Sequence, residues 1–209
     1  MINKLEIDKN DIVLDIGCGY GKILKYINQK TMAKIEGIDY SSNAIEYAKM
    51  IENDDLSFSI MDINELNILK DKYSKIILID SIYFSNNYEK TLLEIYEKVQ
   101  LNGKIGIFYS DFIFDAKNQI DIIQGDDTII AKIFREKNWK YQFFDFTKEH
   151  YDLMKRKNIV SNKLKEDFLN ENNEKLYIRL NEESIVQGVK FSDFVKFSNR
   201  YFYCIEKIL

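Results

Sequence analysis

The sequence is poor in several residue types, and each shortage excludes a class of protein. Its 209 residues include no proline, one histidine, one tryptophan and two cysteines. Cys18 and Cys204 are too few to form the framework of a disulfide-stabilised secreted fold. No apolar run is long enough to span a membrane, and no segment has the pattern of a signal peptide. We therefore expect a cytoplasmic protein that has no membrane partner.

The chain also lacks a large charge excess of either sign. Lys and Arg number 30 against 34 Asp and Glu, which gives a net charge of −4. Residues 1–147 carry 18 basic and 24 acidic side chains, and residues 148–209 carry 12 and 10. Because binding to a phosphate backbone needs a basic surface, these counts argue against a nucleic-acid partner. A hydrophobic content of 45% predicts a globular chain.

Strand and helix patterns alternate along the first 147 residues, and one more strand pattern closes the sequence. Seven segments are predicted as strands: 12–15, 33–39, 56–63, 75–80, 104–110, 139–147 and 200–207. A turn is predicted at Asn102 and Gly103, and helix N-caps at Ser41 or Ser42 and at Asp127 or Thr128. The alternation predicts an α/β fold with a Rossmann-like, open, mostly parallel seven-stranded sheet that has helices on both faces.

Residues 148–199, between the sixth and last strands, have helical patterns. The first helical stretch carries apolar residues at Leu153, Ile159, Val160, Leu164 and Phe168, and a shorter piece at 182–186 precedes a glycine. About fifty residues rarely bury enough apolar surface to fold alone. We therefore predict a single domain, with a core at 1–147 and 200–209 and a helical lid or substrate insertion at 148–199.

The most informative segment is VLDIGCGYGK, residues 13–22. An apolar run ends in Asp15, and three glycines follow at every second position before a stretch that suits a helix. A buried strand that leads through a glycine-rich turn into a helix is how an open α/β sheet builds a nucleotide site. The spacing departs from the dinucleotide pattern G-x-G-x-x-G, because the third glycine arrives one residue early. It is also one residue too short for a P-loop.

Acids also end the second, third and fourth predicted strands, at Asp39, Asp62 and Asp80. Because the carboxyl ends of parallel strands share one edge of the sheet, we expect these acids to collect beside the glycine turn. Asp39 is placed to accept from two ribose hydroxyls, and Asp62 to accept from an adenine amino group. An acidic edge suits a sulfonium cation better than a pyrophosphate.

The segment 13–22 resembles the first motif of class I S-adenosylmethionine-dependent methyltransferases. GIDYS at 37–41 is similar to the second motif of that family, Met61 with Asp62 to its adenine-binding motif, and KIILIDSIYFS at 75–85 to its fourth motif. The resemblance implies S-adenosyl-L-methionine as cofactor and S-adenosyl-L-homocysteine as product, with no metal. The implied cofactor-binding residues are Asp15, Gly17, Cys18, Gly19, Gly21, Asp39, Tyr40, Met61, Asp62, Ile63 and Asp80.

The sequence departs from the family pattern at its N-terminus, where the first motif begins after only a dozen residues. Many members of the family carry a helical cap before that motif. Its absence assigns the closing role to the insertion at 148–199 and to residues 111–124. Cys18 is interpreted as a small filler of the glycine turn rather than a nucleophile.

Residues for the chemical step are harder to identify, because methyl transfer depends mainly on positioning. His150 is a candidate general base, and Tyr83 is a candidate catalytic or acceptor-binding residue, with Tyr20, Tyr109 and Tyr151 as further pocket candidates. The sequence predicts methyl transfer to a small-molecule acceptor. Two alternatives stay open: a non-catalytic protein that binds the same cofactor, and a nucleotide-dependent oxidoreductase. The acceptor and the oligomeric state are not predicted.

Overall fold

The computed structural model describes residues 1–110, 124–185 and 188–208. Within it the chain divides into two compact units. The first unit comprises Met1–Tyr109, Gly125–Phe144 and Phe202–Leu209, and the second comprises Ser110–Gln124 and Asp145–Tyr201. The predicted boundaries of the insertion, 148–199, lie within the second unit. The suggested closing segment 111–124 lies, except for its last residue, outside the described residues, as does the end of the predicted piece 182–186.

The first unit is built on one seven-stranded sheet. Its strands in chain order are β1 (Ile12–Ile16), β2 (Lys34–Asp39), β3 (Leu56–Ile60), β4 (Tyr73–Ile79), β5 (Val99–Tyr109), β6 (Lys140–Asp145) and β7 (Tyr201–Glu206). The spatial order is β3-β2-β1-β4-β5-β7-β6. The pairs β1–β2, β1–β4, β2–β3 and β4–β5 are parallel. The predicted open, mostly parallel seven-stranded sheet is therefore confirmed.

Hydrophobic burial explains why these segments form central strands. Val13, Leu14, Ile76, Ile77 and Leu78 are fully buried. Strands covered on both faces carry continuous apolar runs of this kind. The strand order places β1 in the middle of the parallel part, so the turn after β1 lies where the chain crosses from one half of the sheet to the other. Ligands of open α/β sheets bind at this switch point, outside the carboxyl ends of the strands.

Among its described residues the first unit has five α-helices: α1 (Ile2–Leu5), α2 (Lys22–Thr31), α3 (Ser42–Lys49), α4 (Tyr88–Lys98) and α5 (Ile129–Glu136). The structure decides between the alternative N-caps. The Ser41 hydroxyl accepts a hydrogen bond from the Ala44 N–H, and the Thr128 hydroxyl accepts one from the Ala131 N–H. These bonds satisfy N–H groups that have no partner inside the first helical turn.

Several strand ends differ from the predictions, and three of the differences change the expected place of Asp15, Asp62 or the Asn102–Gly103 turn. β1 continues through Asp15 to Ile16, so this acid lies inside the strand instead of ending it. β3 stops at Ile60, two residues before Asp62, which caps a short 3-10 helix. β5 begins at Val99, so Asn102 and Gly103 do not form a turn before the strand but lie within it. Asn102 has a positive φ of 61°, and hydrogen bonds from its N–H and to the Gly103 carbonyl join β5 to Lys207.

The second unit is helical in its described residues. Its helices are α6 (Thr147–Lys163), α7 (Lys165–Asn170), α8 (Glu174–Glu182) and α9 (Phe191–Phe194). The predicted helical stretch is therefore broken at Leu164. Tyr151, Ile185 and Phe194 form its small apolar cluster.

The apolar residues that suggested a core-facing stripe on the first helix of this unit are largely exposed. Leu153, Ile159 and Val160 are 54%, 51% and 46% exposed. α6 instead buries polar groups such as Asn158, whose amide donates to the Asn181 and Ser184 side chains. The buried face of α6 therefore combines these hydrogen bonds with the aromatic contacts of Tyr151, and the exposed apolar residues lie outside it.

Candidate functional site

The glycine turn between β1 and α2 forms one side of the candidate site. The N–H groups of Gly17 and Cys18 both donate to the Ile38 carbonyl, at 2.8 and 3.0 Å, which ties the turn to the end of β2. Gly17 has φ of +84° and Gly19 has φ of +53°, in the left-handed region that favours glycine. The backbone conformation of the turn therefore already favours glycine at both positions.

The two glycines differ in what surrounds them. A Cβ atom on Gly17 would lie 2.4 Å from the Cβ of Ser81, so the Asp80–Ser81 segment approaches the turn too closely for any side chain there. A Cβ atom on Gly19 would meet nothing within 4 Å. The backbone of the turn is thus closed by Ser81 on one side and open at Gly19, where another molecule can approach closely.

Asp39, the last residue of β2, is held by backbone donors from two directions. The Gly19 N–H donates to its Oδ2 at 2.8 Å, and the Ser41 N–H donates to its Oδ1 at 2.9 Å. The side chain is 9% exposed. A carboxylate oxygen accepts more than one hydrogen bond, so each oxygen keeps capacity for a ligand donor. Asp39 is therefore an acceptor held in place, with accepting capacity left on both oxygens.

Asp15 is not part of an exposed acidic edge. It is 2% exposed, and its Oδ1 has no hydrogen-bond partner within the protein. Burial, and secondarily the negative charge of Asp39, raise the pKa of Asp15 to about 8. The side chain is therefore mainly protonated at neutral pH. The structure therefore places Asp15 inside β1, where the sequence predicted the end of the strand.

Asp62 lies two residues after β3 and presents one carboxylate oxygen to its own loop. Its Oδ1 accepts hydrogen bonds from the N–H and the side-chain amide of Asn64, each at 2.8 Å. Both contacts use Oδ1, which leaves Oδ2 for a ligand. Met61 is half-buried and Ile63 is buried on either side of this acid. The segment therefore combines an acceptor with two apolar flanks.

The glycine turn, the ends of β2 and β4 and the segment after β3 meet in a cleft of about 70 Å³. It is lined by Gly17, Asp39, Tyr40, Met61, Ile63, Asp80, Ser81 and Phe84. The rings of Tyr40 and Phe84 lie 6.1 Å apart and are 65% and 61% exposed. Small-molecule sites usually measure about 300–1,000 Å³. We therefore expect these two exposed rings to reorient when a nucleoside-sized ligand enters.

A larger cavity of about 300 Å³ lies between α1 and the strands β6 and β7. Four of the five charged side chains along its wall form ion pairs, Lys104 with Glu6 and Lys140 with Glu206, both at 2.5 Å, and the fifth, Lys4, lies over the Phe144 ring. We assign the candidate site to the smaller cleft, because the glycine turn, Asp39 and Asp80 meet there and Met61 and Ile63, on either side of Asp62, also line it.

Two other residues of the predicted set have structural roles. The Cys18 side chain lies beside Gly37, since a Cβ atom on that glycine would come within 2.9 Å of Cys18 Sγ. Burial is the main reason that the pKa of the Cys18 thiol is raised, so the thiolate is disfavoured. A Cβ atom on Gly21 would come within 2.4 Å of the Phe58 ring, so Gly21 is a packing requirement.

Beyond β4 the chain presents aromatic residues. Asp80 adopts a positive φ of 56°, a left-handed conformation that is uncommon for non-glycine residues and that aspartate tolerates better than most. The following 3-10 helix carries Tyr83, whose ring stacks on that of Tyr109 at 5.3 Å between centroids. Tyr109 is buried at the end of β5. The two predicted pocket tyrosines are therefore neighbours, whereas Tyr20 contacts Tyr47 instead.

His150 and Tyr151 belong to the helical second unit. His150 is buried in α6, with its ring 5.7 Å from that of Phe194. The Tyr151 hydroxyl donates to the Val189 carbonyl at 2.7 Å. The general-base role of His150 and the pocket role of Tyr151 stay predictions.

Two residues of the site had no predicted role of their own: Asn64, and Ser81, which lies within the segment 75–85 that resembles the fourth motif. Ser81 packs on Gly17 and donates its hydroxyl to the Ile16 carbonyl, and Asn64 links two loops at the edge of the cleft. The close approach of Ser81 leaves a trace in the sequence, because it requires glycine at position 17. The role of Asn64 leaves none, since its partners are 20 and 22 residues away.

Neither a metal cluster nor a membrane-spanning helix is found within residues 1–110, 124–185 and 188–208. No group of three or more His, Cys, Asp or Glu side chains there is arranged to hold a metal ion. Among the helices of those ranges, none combines the length and apolar character that a membrane crossing needs.

Known proteins resemble this chain both in sequence and in fold. A putative methyltransferase, 235L, from Invertebrate iridescent virus 6 is 28% identical over 147 residues, which are 70% of this chain and 51% of that protein. Methyltransferase GfsG from Streptomyces halstedii is 26% identical over 112 residues, 51% of this chain and 40% of that protein. The chain thus spans about half the length, or less, of these curated relatives.

A solved structure of phosphoethanolamine N-methyltransferase 2 from Haemonchus contortus has the same fold. That structure contains phosphomonomethylethanolamine and S-adenosylhomocysteine, and it superposes with a TM-score of 0.77 at 15% identity. The alignment covers 97% of this chain and 50% of that chain. The methyltransferase domain family matches residues 7–165, which include the glycine turn and all four predicted strand-end acids. The chain therefore belongs to the methyltransferase domain family.

Proposed function

We propose that the chain transfers the methyl group of S-adenosyl-L-methionine to a small-molecule acceptor. The observation that carries the proposal is the Asp39 carboxylate, fixed by the N–H groups of Gly19 and Ser41 beside a turn that is open at Gly19. A ribose presents two adjacent hydroxyl donors, and a carboxylate held in this way accepts both without reorganising. Hydrogen bonds to a charged acceptor contribute about 1.5–3 kcal/mol each.

The remaining subsites follow the strand order β3-β2-β1-β4. Asp62 after β3 would accept from the adenine amino group, with Met61 and Ile63 on either side of the ring. Asp39 at the end of β2 would hold the ribose. The sulfonium end would then lie toward the glycine turn and Asp80. Membership of the methyltransferase domain family supports this assignment and favours it over the oxidoreductase alternative.

The cofactor supplies a methyl carbon that its sulfonium makes electrophilic. This chain supplies position: the acids fix the adenosine end, and the approach of Ser81 to Gly17 sets the wall beside it. Holding an acceptor atom about 3 Å from the methyl carbon in a water-poor site provides most of the acceleration. A general base is needed only for an acceptor that is protonated or weakly nucleophilic, and His150 stays the candidate.

The acceptor is proposed to be a small molecule that binds against the aromatic residues after β4 and β5. The stacked rings of Tyr83 and Tyr109 form an apolar wall there, and Tyr83 is 37% exposed. The balanced charge of the chain argues against nucleic acid. The small amine bound in the Haemonchus contortus structure also supports a small acceptor. Both cysteines are free thiols, which supports the reducing cytoplasm as the proposed location.

The proposal is tested by following S-adenosyl-L-homocysteine formation over a panel of small amines, phenols, thiols and carboxylic acids. We expect turnover with at least one class, reduced in Tyr83→Ala and retained in Tyr47→Ala, which changes a tyrosine on the outer face of α3. Tight cofactor binding with no turnover across the panel would contradict methyl transfer and favour the non-catalytic alternative.

A further inference from the structure

Asn64 joins the two loops that flank the candidate site. It follows β3 in the 3-10 segment Ile63–Ile68. Its side-chain amide donates to Asp62 Oδ1 at 2.8 Å and to the Phe84 carbonyl at 3.2 Å. Its Oδ1 accepts from the Asn86 N–H at 2.8 Å. One side chain therefore contacts the proposed adenine-binding acid and two backbone groups of the loop after β4.

The asparagine side chain suits this position because it is donor and acceptor at once. Its amide nitrogen carries two donors, which serve Asp62 and Phe84, and its oxygen serves Asn86. A carboxylate can only accept, so aspartate would keep the Asn86 contact and lose the other two. The three partners together use both donors and one of the two acceptor sites of the amide.

The loop that Asn64 contacts, residues 81–87, also forms contacts toward α4. The Ser85 hydroxyl lies 2.8 Å from that of Thr91, and the Asn87 side chain caps α4. Toward the site, the same loop carries Tyr83. Its backbone at Phe84 and Asn86 is connected back to the β3 side of the cleft through the Asn64 side chain.

We propose that Asn64 is a positioning residue that couples occupancy of the adenine subsite to the order of the acceptor loop, residues 81–87. The inference rests on the proposed function and deepens it. A ligand held by Asp62 Oδ2 restrains that carboxylate, whose Oδ1 restrains the Asn64 amide, which in turn restrains Phe84 and Asn86. Cofactor binding then orders the acceptor side before the acceptor arrives.

The coupling has a direct consequence for the binding of both ligands. Because linkage is reciprocal, an acceptor that orders the loop strengthens binding at the adenine subsite by the same factor. S-adenosyl-L-methionine and S-adenosyl-L-homocysteine share the adenosine part, so both engage the coupling. The coupling therefore makes binding of cofactor and acceptor cooperative and favours neither order of addition.

Adenosine is the probe that isolates this coupling, because it fills the adenine and ribose subsites without the methionine part. Hydrogen exchange of the Ser85 and Asn86 amides is measured by mass spectrometry with and without saturating adenosine. For the wild-type chain we expect exchange to slow about fivefold, the effect of securing one hydrogen bond of typical strength. Calorimetry in parallel records adenosine binding.

Three variants make the test specific. Asn64→Ala removes all three bonds, and Asn64→Asp keeps only the acceptor for the Asn86 N–H. Asn67→Ala is the matched control, since Asn67 is an exposed asparagine of the same 3-10 segment. We expect both Asn64 variants to bind adenosine but to lose the slowing, while Asn67→Ala retains it. Thermal unfolding checks that each variant is folded. If Asn64→Ala is unstable, the comparison is made with Asn64→Asp.

The outcomes separate this inference from the proposed function. If Asn64 had a merely structural role, its substitution would speed amide exchange both with and without adenosine. The ratio of the two exchange rates would then stay as it is in the wild type. Equal slowing in the wild type and in Asn64→Asp would overturn the coupling, as would adenosine binding without slowing in the wild type. Failure of the wild-type chain to bind adenosine, S-adenosyl-L-methionine or S-adenosyl-L-homocysteine would instead overturn the proposed cofactor site.

Discussion

Replacing Asp15 by asparagine should change how the stability of the fold depends on pH. Asp15 is enclosed in the central strand β1, and burial raises its pKa from an ordinary 3.8 to about 8. The folded chain therefore binds a proton at neutral pH that the unfolded chain releases. Asparagine has nearly the same shape and does not titrate, so it removes this proton from the comparison.

The sign and size of the effect follow from proton linkage. Between the unfolded and folded pKa values, the free energy of unfolding of the wild type falls as pH rises. The contribution of this one group is about 1.4 kcal/mol per pH unit. It is complete below about pH 4, is lost progressively up to about pH 8, and changes no further above that. From pH 5 to pH 7, the Asp15→Asn variant should gain about 3 kcal/mol relative to the wild type.

Urea unfolding followed by circular dichroism at pH 5, 6, 7 and 8 measures this difference. Asp54→Asn is the matched control, since it makes the same change of charge at an exposed position. We expect its pH dependence to parallel that of the wild type, while the Asp15→Asn curve diverges from it. If the curves of wild type and Asp15→Asn stay parallel from pH 5 to 7, Asp15 is ionised in the fold and the reasoning is refuted.

Two further predictions concern the stability of the first unit, both measured by thermal or urea unfolding. Gly17→Ala places a Cβ atom 2.4 Å from that of Ser81 and should lower the free energy of unfolding by about 2–5 kcal/mol. Gly19→Ala, whose Cβ atom meets nothing within 4 Å, should lower it by about 1 kcal/mol. Equal losses in the two variants would contradict this reasoning. Thr128→Ala removes the cap of α5 and a hydroxyl 2.7 Å from that of Tyr203, and should cost about 1–3 kcal/mol. Thr128→Ser should recover most of it, and a loss as large as that of alanine would show that the methyl group matters more.

The sheet was predictable because its signals are local. Apolar runs and turn residues give the strands, the alternation with helices gives parallel pairing, and the glycine spacing gives the turn. The N-caps were predictable only to one of two residues. A single hydrogen bond, donated by the Ala44 N–H to the Ser41 hydroxyl, identifies Ser41 and not Ser42 as the cap. That bond depends on where the first helical turn begins.

The parts that could not be predicted depend on contacts distant in sequence. Asp15 ends an apolar run in the sequence, yet pairing with β2 and β4 carries the strand past it and into the interior. α6 has apolar residues at helical spacing, but Asn158 bonds to α8 and thereby turns a different face inward. The link through Asn64 joins segments 20 residues apart and has no periodic signature.

The most direct test of the account is calorimetric titration of S-adenosyl-L-methionine into the wild-type chain, Asp39→Asn and the exposed control Asp54→Asn. We expect micromolar binding by the wild type and the control. We expect a loss of about 10- to 100-fold in Asp39→Asn, because asparagine offers one neutral oxygen in place of two charged ones, and a hydrogen bond to a charged acceptor contributes about 1.5–3 kcal/mol. Unchanged affinity in Asp39→Asn, or no binding by the wild type, would contradict the assignment of the cofactor to this cleft.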